Sequence, residues 1–186
     1  VSYAIAMEEI SKVDASASVV MSVNNSLVCS LVESYGNDAI KEKYLTKLAS
    51  GEKLGAFSLS EPQSGSDASN MKTLAKLDGD YYLVNGTKNW VTNGKTSDYV
   101  ILFAVTTQGV GYKGISCFIV EKGWDGFSVG KPENKLGIRA SDTTELFFDN
   151  VKIPIENRLG EEGDGFRIAL ATLDGGRIGI AAQALG

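Results

Sequence analysis

Apolar positions in the first fifty residues recur every three to four places. Val19, Val23, Leu27, Leu31 and Tyr35, flanked by Val20, Val28 and Val32, make one helical stripe. Asp14 is placed to cap its start and Gly36 to stop its end. A second helix follows, capped by Asp38, with Ile40, Tyr44, Leu45 and Leu48 as its buried side and Gly51 past its end. An earlier, weaker helix runs from about Tyr3 to Ser11.

From Lys53 the period drops to two and turn residues recur. The pattern predicts strands over Gly55–Leu59, Thr73–Leu77, Tyr81–Val84, Thr87–Thr92, Tyr99–Val105, Ile115–Val120, Phe127–Val129 and Thr144–Val151. Two Asn-Gly pairs, Asn85-Gly86 and Asn93-Gly94, are hairpin signals because both residues tolerate positive φ. Strict alternation between them puts Lys88, Trp90 and Thr92 on one face, Asn89 and Val91 on the other. After Pro154 the period is helical again, with Phe166, Ala169, Leu170 and Leu173 on one face. The expected fold class is α+β and multidomain: N-terminal helices, a middle antiparallel β-barrel or sandwich, and the start of a C-terminal helical bundle. The expected divisions are residues 1–52, 53–158 and 159–186.

Composition narrows the chemistry. With 18 basic and 23 acidic residues the net charge is −5, and no basic block offers a nucleic-acid surface. No uninterrupted apolar run approaches the ~18 residues of a membrane span. Cys29 and Cys117 lie far apart, outside any CxxC pattern, and read as buried free thiols suited to a reducing compartment. Histidine is absent, which excludes Ser-His triads and His-ligated metals within these residues. The chain starts at Val1 without a leader and stops at Gly186 inside a helical period, so it is expected to be a fragment.

Four stretches stand out. AFSLSEPQSGSDAS (56–69) leaves a strand into a loop of glycine and serines, whose N–H groups suit phosphate or ring oxygens. By pattern alone an ordinary polar loop is the better account, since no generic phosphate-binding template is met. Trp90-Val91-Thr92 is either core filling or the wall of a planar-ligand site, and alternation does not choose. LDGGRIGIAAQALG (173–186) sets two glycines in a helical period, each costing ~1 kcal/mol against alanine. Close approach by a ligand or helix and a plain helix break with a surface ion pair explain it equally. In KPENKLGIRASDTTELFFDNVKIP (131–154), Lys135 and Arg139 could meet anions, but a solvated loop is the better account, and Phe147, Phe148 and Val151 read as core.

In this order and spacing, LSEPQSGSD, NGTKNWVTNG, KLGIRASDT and FFDNVKIP resemble the signatures of the acyl-CoA dehydrogenase family, across essentially the whole chain. EEISKVDAS, GYKGI, GKPENKLGIRASDT and GRIGIAAQALG are most similar to its short/branched-chain group, with the short-chain (butyryl) group next. The resemblance implies an FAD-dependent enzyme that converts a short or branched acyl-CoA to the 2-enoyl-CoA. An electron-transferring flavoprotein would be the acceptor, and the full-length protein a homotetramer. The compartment would be the mitochondrial matrix in a eukaryote or the cytoplasm in a bacterium.

Carried over by position, the resemblance implies that Phe57, Ser58, Leu59, Ser60, Glu61, Pro62, Gln63, Ser64, Gly65 and Ser66 line the FAD. Trp90, Val91 and Thr92 would sit against the flavin ring, Thr92 bonding near its hydride-accepting nitrogen. Ser66, Tyr112, Phe166, Asp174, Gly175, Gly176 and Arg177 would meet the acyl-CoA. The family's catalytic glutamate would lie past residue 186, so no base is assigned and the fragment alone is expected to be inactive. Gln63-Ser64 and the second position of Asp174-Gly175-Gly176-Arg177 depart from close relatives. An oxidase of the same fold and a non-catalytic binding module are the competing accounts.

Overall fold

The computed structural model describes residues 1–186. Three helices come first: α1 (Ser2–Ser11), α2 (Ala15–Tyr35) and α3 (residues 38–50). Asp14 caps α2 as expected, its carboxylate accepting from Ser16 N–H at 2.7 Å. The cap of α3 is Asn37 rather than Asp38. Asn37 is extended, so its Oδ1 accepts from Ile40 N–H at 2.9 Å, whereas Asp38 is already helical. Gly36 stops α2 as expected, in an extended conformation, while Gly51 is left-handed after α3.

The middle of α2, Val23–Cys29, widens into a π-helical segment. Asn24 within it turns inward, donating to the Leu48 carbonyl at 3.1 Å and accepting from Gly55 N–H at 2.9 Å. One amide thereby joins α2 to the end of α3 and the first strand. At 21 residues α2 is long and apolar enough to cross a bilayer by length and composition, contrary to the run-length expectation. In this fold its Val28, Leu31 and Val32 are buried in a core shared with α3 and the sheet.

Eight strands follow: β1 (Gly55–Ser58), β2 (Leu74–Asp78), β3 (Tyr81–Thr92), β4 (Tyr99–Val105), β5 (Ile115–Glu121), β6 (Phe127–Val129), β7 (Thr143–Pro154) and β8 (Arg158–Leu159). They form one sheet in the order β6-β7-β3-β2-β4-β5-β8, with β1 also on β4. The pairing is antiparallel except for β1 on β4 and a single β2–β4 contact at Leu74 and Val105. Alternation in β4 sorts its side chains into two cores. Ile101 and Phe103 meet the helices, while Val100, Leu102 and Ala104 meet Val84, Phe118, Val151 and Ile153 from strands of the same sheet. The sheet thus curls over an apolar interior and presents its other face to the helices.

Neither Asn-Gly pair makes a hairpin. β3 runs unbroken through Asn85-Gly86, pairing with β2 and β7 on its two sides. Gly86 is needed there for space: a Cβ would stand 2.7 Å from Thr73 Cα. Asn93, at φ 64°, turns the chain out of β3, but β4 goes on to pair with β1 and β5. The two-residue turn is Gly79-Asp80, joining β2 to β3.

The last helix, α4 (Gly165–Leu185), runs straight through Gly175 and Gly176. A Cβ on Gly176 would come within 2.6 Å of Leu27 Cδ2, so this glycine permits close approach of α2. Gly175 faces open space. Of the two accounts of this stretch, helix–helix approach explains Gly176 and a helix break explains neither.

Candidate active site

Regular pairing fails at the end of β3. From Lys88 to Val91, β3 advances three residues while β7 advances two, from Leu146 to Thr144. The extra residue is a β-bulge, and Trp90 within it takes φ 59°, rare for a bulky side chain. Strict alternation is therefore overturned: Lys88 and Val91 are both buried, and Trp90 turns outward with 63% of its surface exposed. One extra residue reverses the facing of Trp90.

Trp90 borders a cleft of about 430 Å³. β1 contributes Phe57, the loop after it Leu59, Ser60, Gly65, Ser66, Asp67 and Ala68, and the end of β3 adds Asn89 and Thr92. α4 supplies Phe166, Ala169, Leu170, Leu173 and Arg177, and the π segment of α2 supplies Val23 and Leu27. The apolar face expected of α4 is thus a wall of the cleft. A smaller groove of about 180 Å³ continues between α2 and α4, past Ser22, Gly176 and Ile180.

The remaining sequence-predicted residues lie elsewhere. Ser58 is buried, its Oγ donating to the Ile101 carbonyl at 3.0 Å, and Val91 sits in the interior core. Ser64 is buried, donating through Oγ to the Asp67 carbonyl at 2.7 Å. Glu61 and Ser64 exchange two backbone hydrogen bonds, at 2.9 and 3.0 Å, and close the loop on itself. Pro62 and Gln63 are exposed and outside the lining. Tyr112 is exposed beside the cleft, its ring centroid 5.7 Å from that of Phe166. Asp174 pairs with Arg177 on the surface of α4, and Gly175 faces away from any neighbour.

Beneath the loop lies an ion pair with no solvent access. Lys88 Nζ donates to Glu61 Oε1 at 2.8 Å and to the Leu59 carbonyl at 3.0 Å, and its side chain is 0% exposed. Glu61 also accepts from Thr73 N–H at 3.0 Å, Lys72 N–H at 2.6 Å and Gln63 Nε2 at 2.7 Å. Burial works to raise the Glu61 carboxyl, but the Lys88 ammonium and these donors outweigh it and hold it at about 2. Burial pulls the Lys88 ammonium down to about 8 against the attraction of Glu61, so both groups are charged at neutral pH.

The lining suits a planar ligand with polar edges. Trp90 and Phe57 offer aromatic surface, while the backbone N–H groups of Ser60, Gly65 and Ser66 donate to no backbone carbonyl. Asn89, a lining residue, holds its Oδ1 buried without a partner. Asp67 is the one carboxylate in the lining, and it is exposed.

Sequence reasoning read Val23 and Leu27 as core, where the structure makes them both core and cleft wall, gave Lys88 and Asn89 only a strand facing, and passed over Asn24. A signal existed for two of them. Asn24 interrupts an apolar helical stripe, and Lys88 continues the even-numbered row of β3 on which Tyr82 and Val84 are buried.

Residues 1–52 match the family model for the acyl-CoA dehydrogenase N-terminal domain, and residues 56–151 that for its middle domain. A short-chain specific acyl-CoA dehydrogenase of Clostridium acetobutylicum is 55% identical over 185 residues, covering 100% of this chain and 49% of that protein. The solved butyryl-CoA dehydrogenase of Megasphaera elsdenii superposes with a TM-score of 0.97 at 50% identity, over 98% of this chain and 48% of that one. A structure described as an electron transferring flavoprotein of Acidaminococcus fermentans, in work on flavin-based electron bifurcation, matches with the same TM-score of 0.97 and 50% identity, over 98% of this chain and 48% of that one. The chain spans about half the length of the curated relatives it matches.

Proposed function

The chain belongs to the acyl-CoA dehydrogenase family, and on that premise we propose that its cleft binds FAD, for desaturation of a short acyl-CoA by the whole protein. The observation that carries this reading is convergence: the 59–68 loop, the bulge at Trp90 and the inner face of α4 line one cleft. FAD, when bound, supplies the acceptor for the hydride leaving the β carbon of the thioester.

The chain's own residues bind and orient. Trp90 gives a flat apolar wall, and Thr92 a hydroxyl at the ring's edge. The free N–H groups of Ser60, Gly65 and Ser66 meet electron-rich ring or phosphate oxygens. Arg177 sets a cation beside the α2–α4 groove, suited to the anionic parts of a CoA thioester, with Tyr112 and Phe166 paired at the margin. Val23, Leu27, Leu170 and Leu173 keep water from the reacting carbons. No residue of the lining is assigned as the base that takes the α proton.

Residues 1–52, 53–158 and 159–186 are proposed as three structural divisions, and an electron-transferring flavoprotein as the electron acceptor. Likeness to the Acidaminococcus structure supports the acceptor. The short-chain specific relatives support a short acyl group, and the short/branched-chain resemblance of the sequence supports tolerance of a 2-methyl branch. The test is an absorbance titration of the FAD-loaded, full-length protein without oxygen. Butyryl-CoA, and then 2-methylbutyryl-CoA, should bleach the flavin, while palmitoyl-CoA should not. Absence of flavin binding, or bleaching by palmitoyl-CoA alone, overturns the reading.

A further inference from the structure

We propose that the buried Lys88–Glu61 pair is a positioning latch that sets the ligand-facing geometry of Trp90 and of the loop after β1. The bonds run to both sides of the cleft wall. From β3, Lys88 reaches the Leu59 carbonyl and Glu61, and Asn89 N–H donates to the Ser60 carbonyl at 2.8 Å. Glu61 in turn takes Lys72 N–H and Thr73 N–H, fixing the far end of the loop where the chain enters β2. The two ends of the loop are therefore joined through one ion pair, Lys88 holding the Leu59 carbonyl and Glu61 the N–H groups of Lys72 and Thr73.

The latch explains why the extra residue sits where it does. Asn89 spends its N–H on the loop, and β7 has no residue paired with Asn89 or Trp90. Trp90 is freed to turn outward only because its two predecessors are held by the loop. Stability alone gives no reason for an ion pair here, since apolar residues of like volume usually replace such pairs without loss. A geometric role does give one: five directed bonds onto one carboxylate and one ammonium specify position as apolar contacts do not. The depressed ammonium of Lys88 agrees, for it makes the latch releasable in mild alkali. Of the groups packed on Lys88 Nζ, namely the Leu59 carbonyl, the Met71 sulfur and Glu61, only Glu61 is charged.

This inference rests on the FAD reading for its ligand, but its first readout needs none. The chain has two tryptophans, so Trp124→Phe leaves Trp90 as sole reporter. In that background, Lys88→Met/Glu61→Gln removes both charges together and leaves no buried charge unpaired. Trp90 emission and its quenching by acrylamide should differ between parent and double variant, with far-UV circular dichroism unchanged. The parent should also show an emission transition near pH 8 that the double variant lacks, a readout available from the parent alone if the variant fails to fold. FAD should bind the double variant at least tenfold more weakly than the parent. Identical Trp90 emission and quenching in the two proteins, or a parent emission flat from pH 7 to 9, overturns the latch. A parent that binds no FAD yet shows the Trp90 differences overturns the FAD reading and leaves the latch standing.

Discussion

The two halves of β3 obey different rules. Its first half, with Tyr82 and Val84, pairs in register on both sides and buries alternate side chains in the sheet's interior. Its second half departs from that ladder, buries a lysine and turns a tryptophan out to solvent. In the first half, burial of apolar area dictates every facing. In the second, polar bonds to a neighbouring loop dictate them, and an aromatic ring is left for something outside the chain. Four irregularities lie on that side: the bulge, left-handed Trp90, the π segment of α2 and the unpartnered Asn89 oxygen. The interior side has one counterpart, a second register shift between Val84 and Gly86 of β3, opposite left-handed Asn150 of β7.

The strongest contrast lies in stability. Phe118 is 0% exposed and packs edge-on against Tyr82 at 4.9 Å. Phe118→Ala should cost about 3–5 kcal/mol of unfolding free energy, read by urea denaturation. A loss below about 1 kcal/mol would mean that the interior can collapse around the gap, and that the two halves differ less than their burial implies.

Acid comes next. The Glu61 carboxyl sits at about 2 in the folded chain against an ordinary 4.5, so the unfolded chain binds the extra proton between those values. Its stabilisation is fully present above pH 4.5 and lost as pH falls through the folded value. On the order of 3 kcal/mol should disappear over that window, about 1.4 kcal/mol per unit. Glu61→Gln should flatten that part of the stability–pH curve. An unchanged acid limb would show that other carboxylates set it.

The regular half was legible in the sequence because its determinants are local. Period two, Gly79-Asp80 and the apolar run Tyr99–Val105 correspond to the elements that formed. The hairpins expected at Asn85-Gly86 and Asn93-Gly94 did not form. The first pair's glycine answers to Thr73 pressing from just before β2, a contact between segments that no local pattern records. The bulge escaped for the same reason: its cause is a bond from Lys88 across 27 residues to Glu61. Cleft residues such as Val23 and Leu27 looked like core because a helix side facing a cleft is as apolar as one facing protein. The candidate site residues followed from the family resemblance, and the structure gathers Phe57, Leu59, Ser60, Gly65, Ser66, Trp90, Thr92, Phe166 and Arg177 around one space.

The smallest stability effect, and the most telling, is expected at the exposed ring. Trp90→Ala removes a side chain that the chain itself leaves 63% uncovered, so stability should change by no more than about 0.5 kcal/mol. If Trp90 instead proved as costly as Phe118, it would be core by another name, and the cleft would lose its wall.

Direct titration of the protein with FAD, following Trp90 emission in the Trp124→Phe background, bears most closely on the claim that this side of β3 is built for a ligand. Saturable quenching of Trp90, weakened when Thr92 becomes Val, is the expected result. Emission that stays constant while FAD binds would contradict it, placing the cofactor away from the bulge and the cleft that adjoins it.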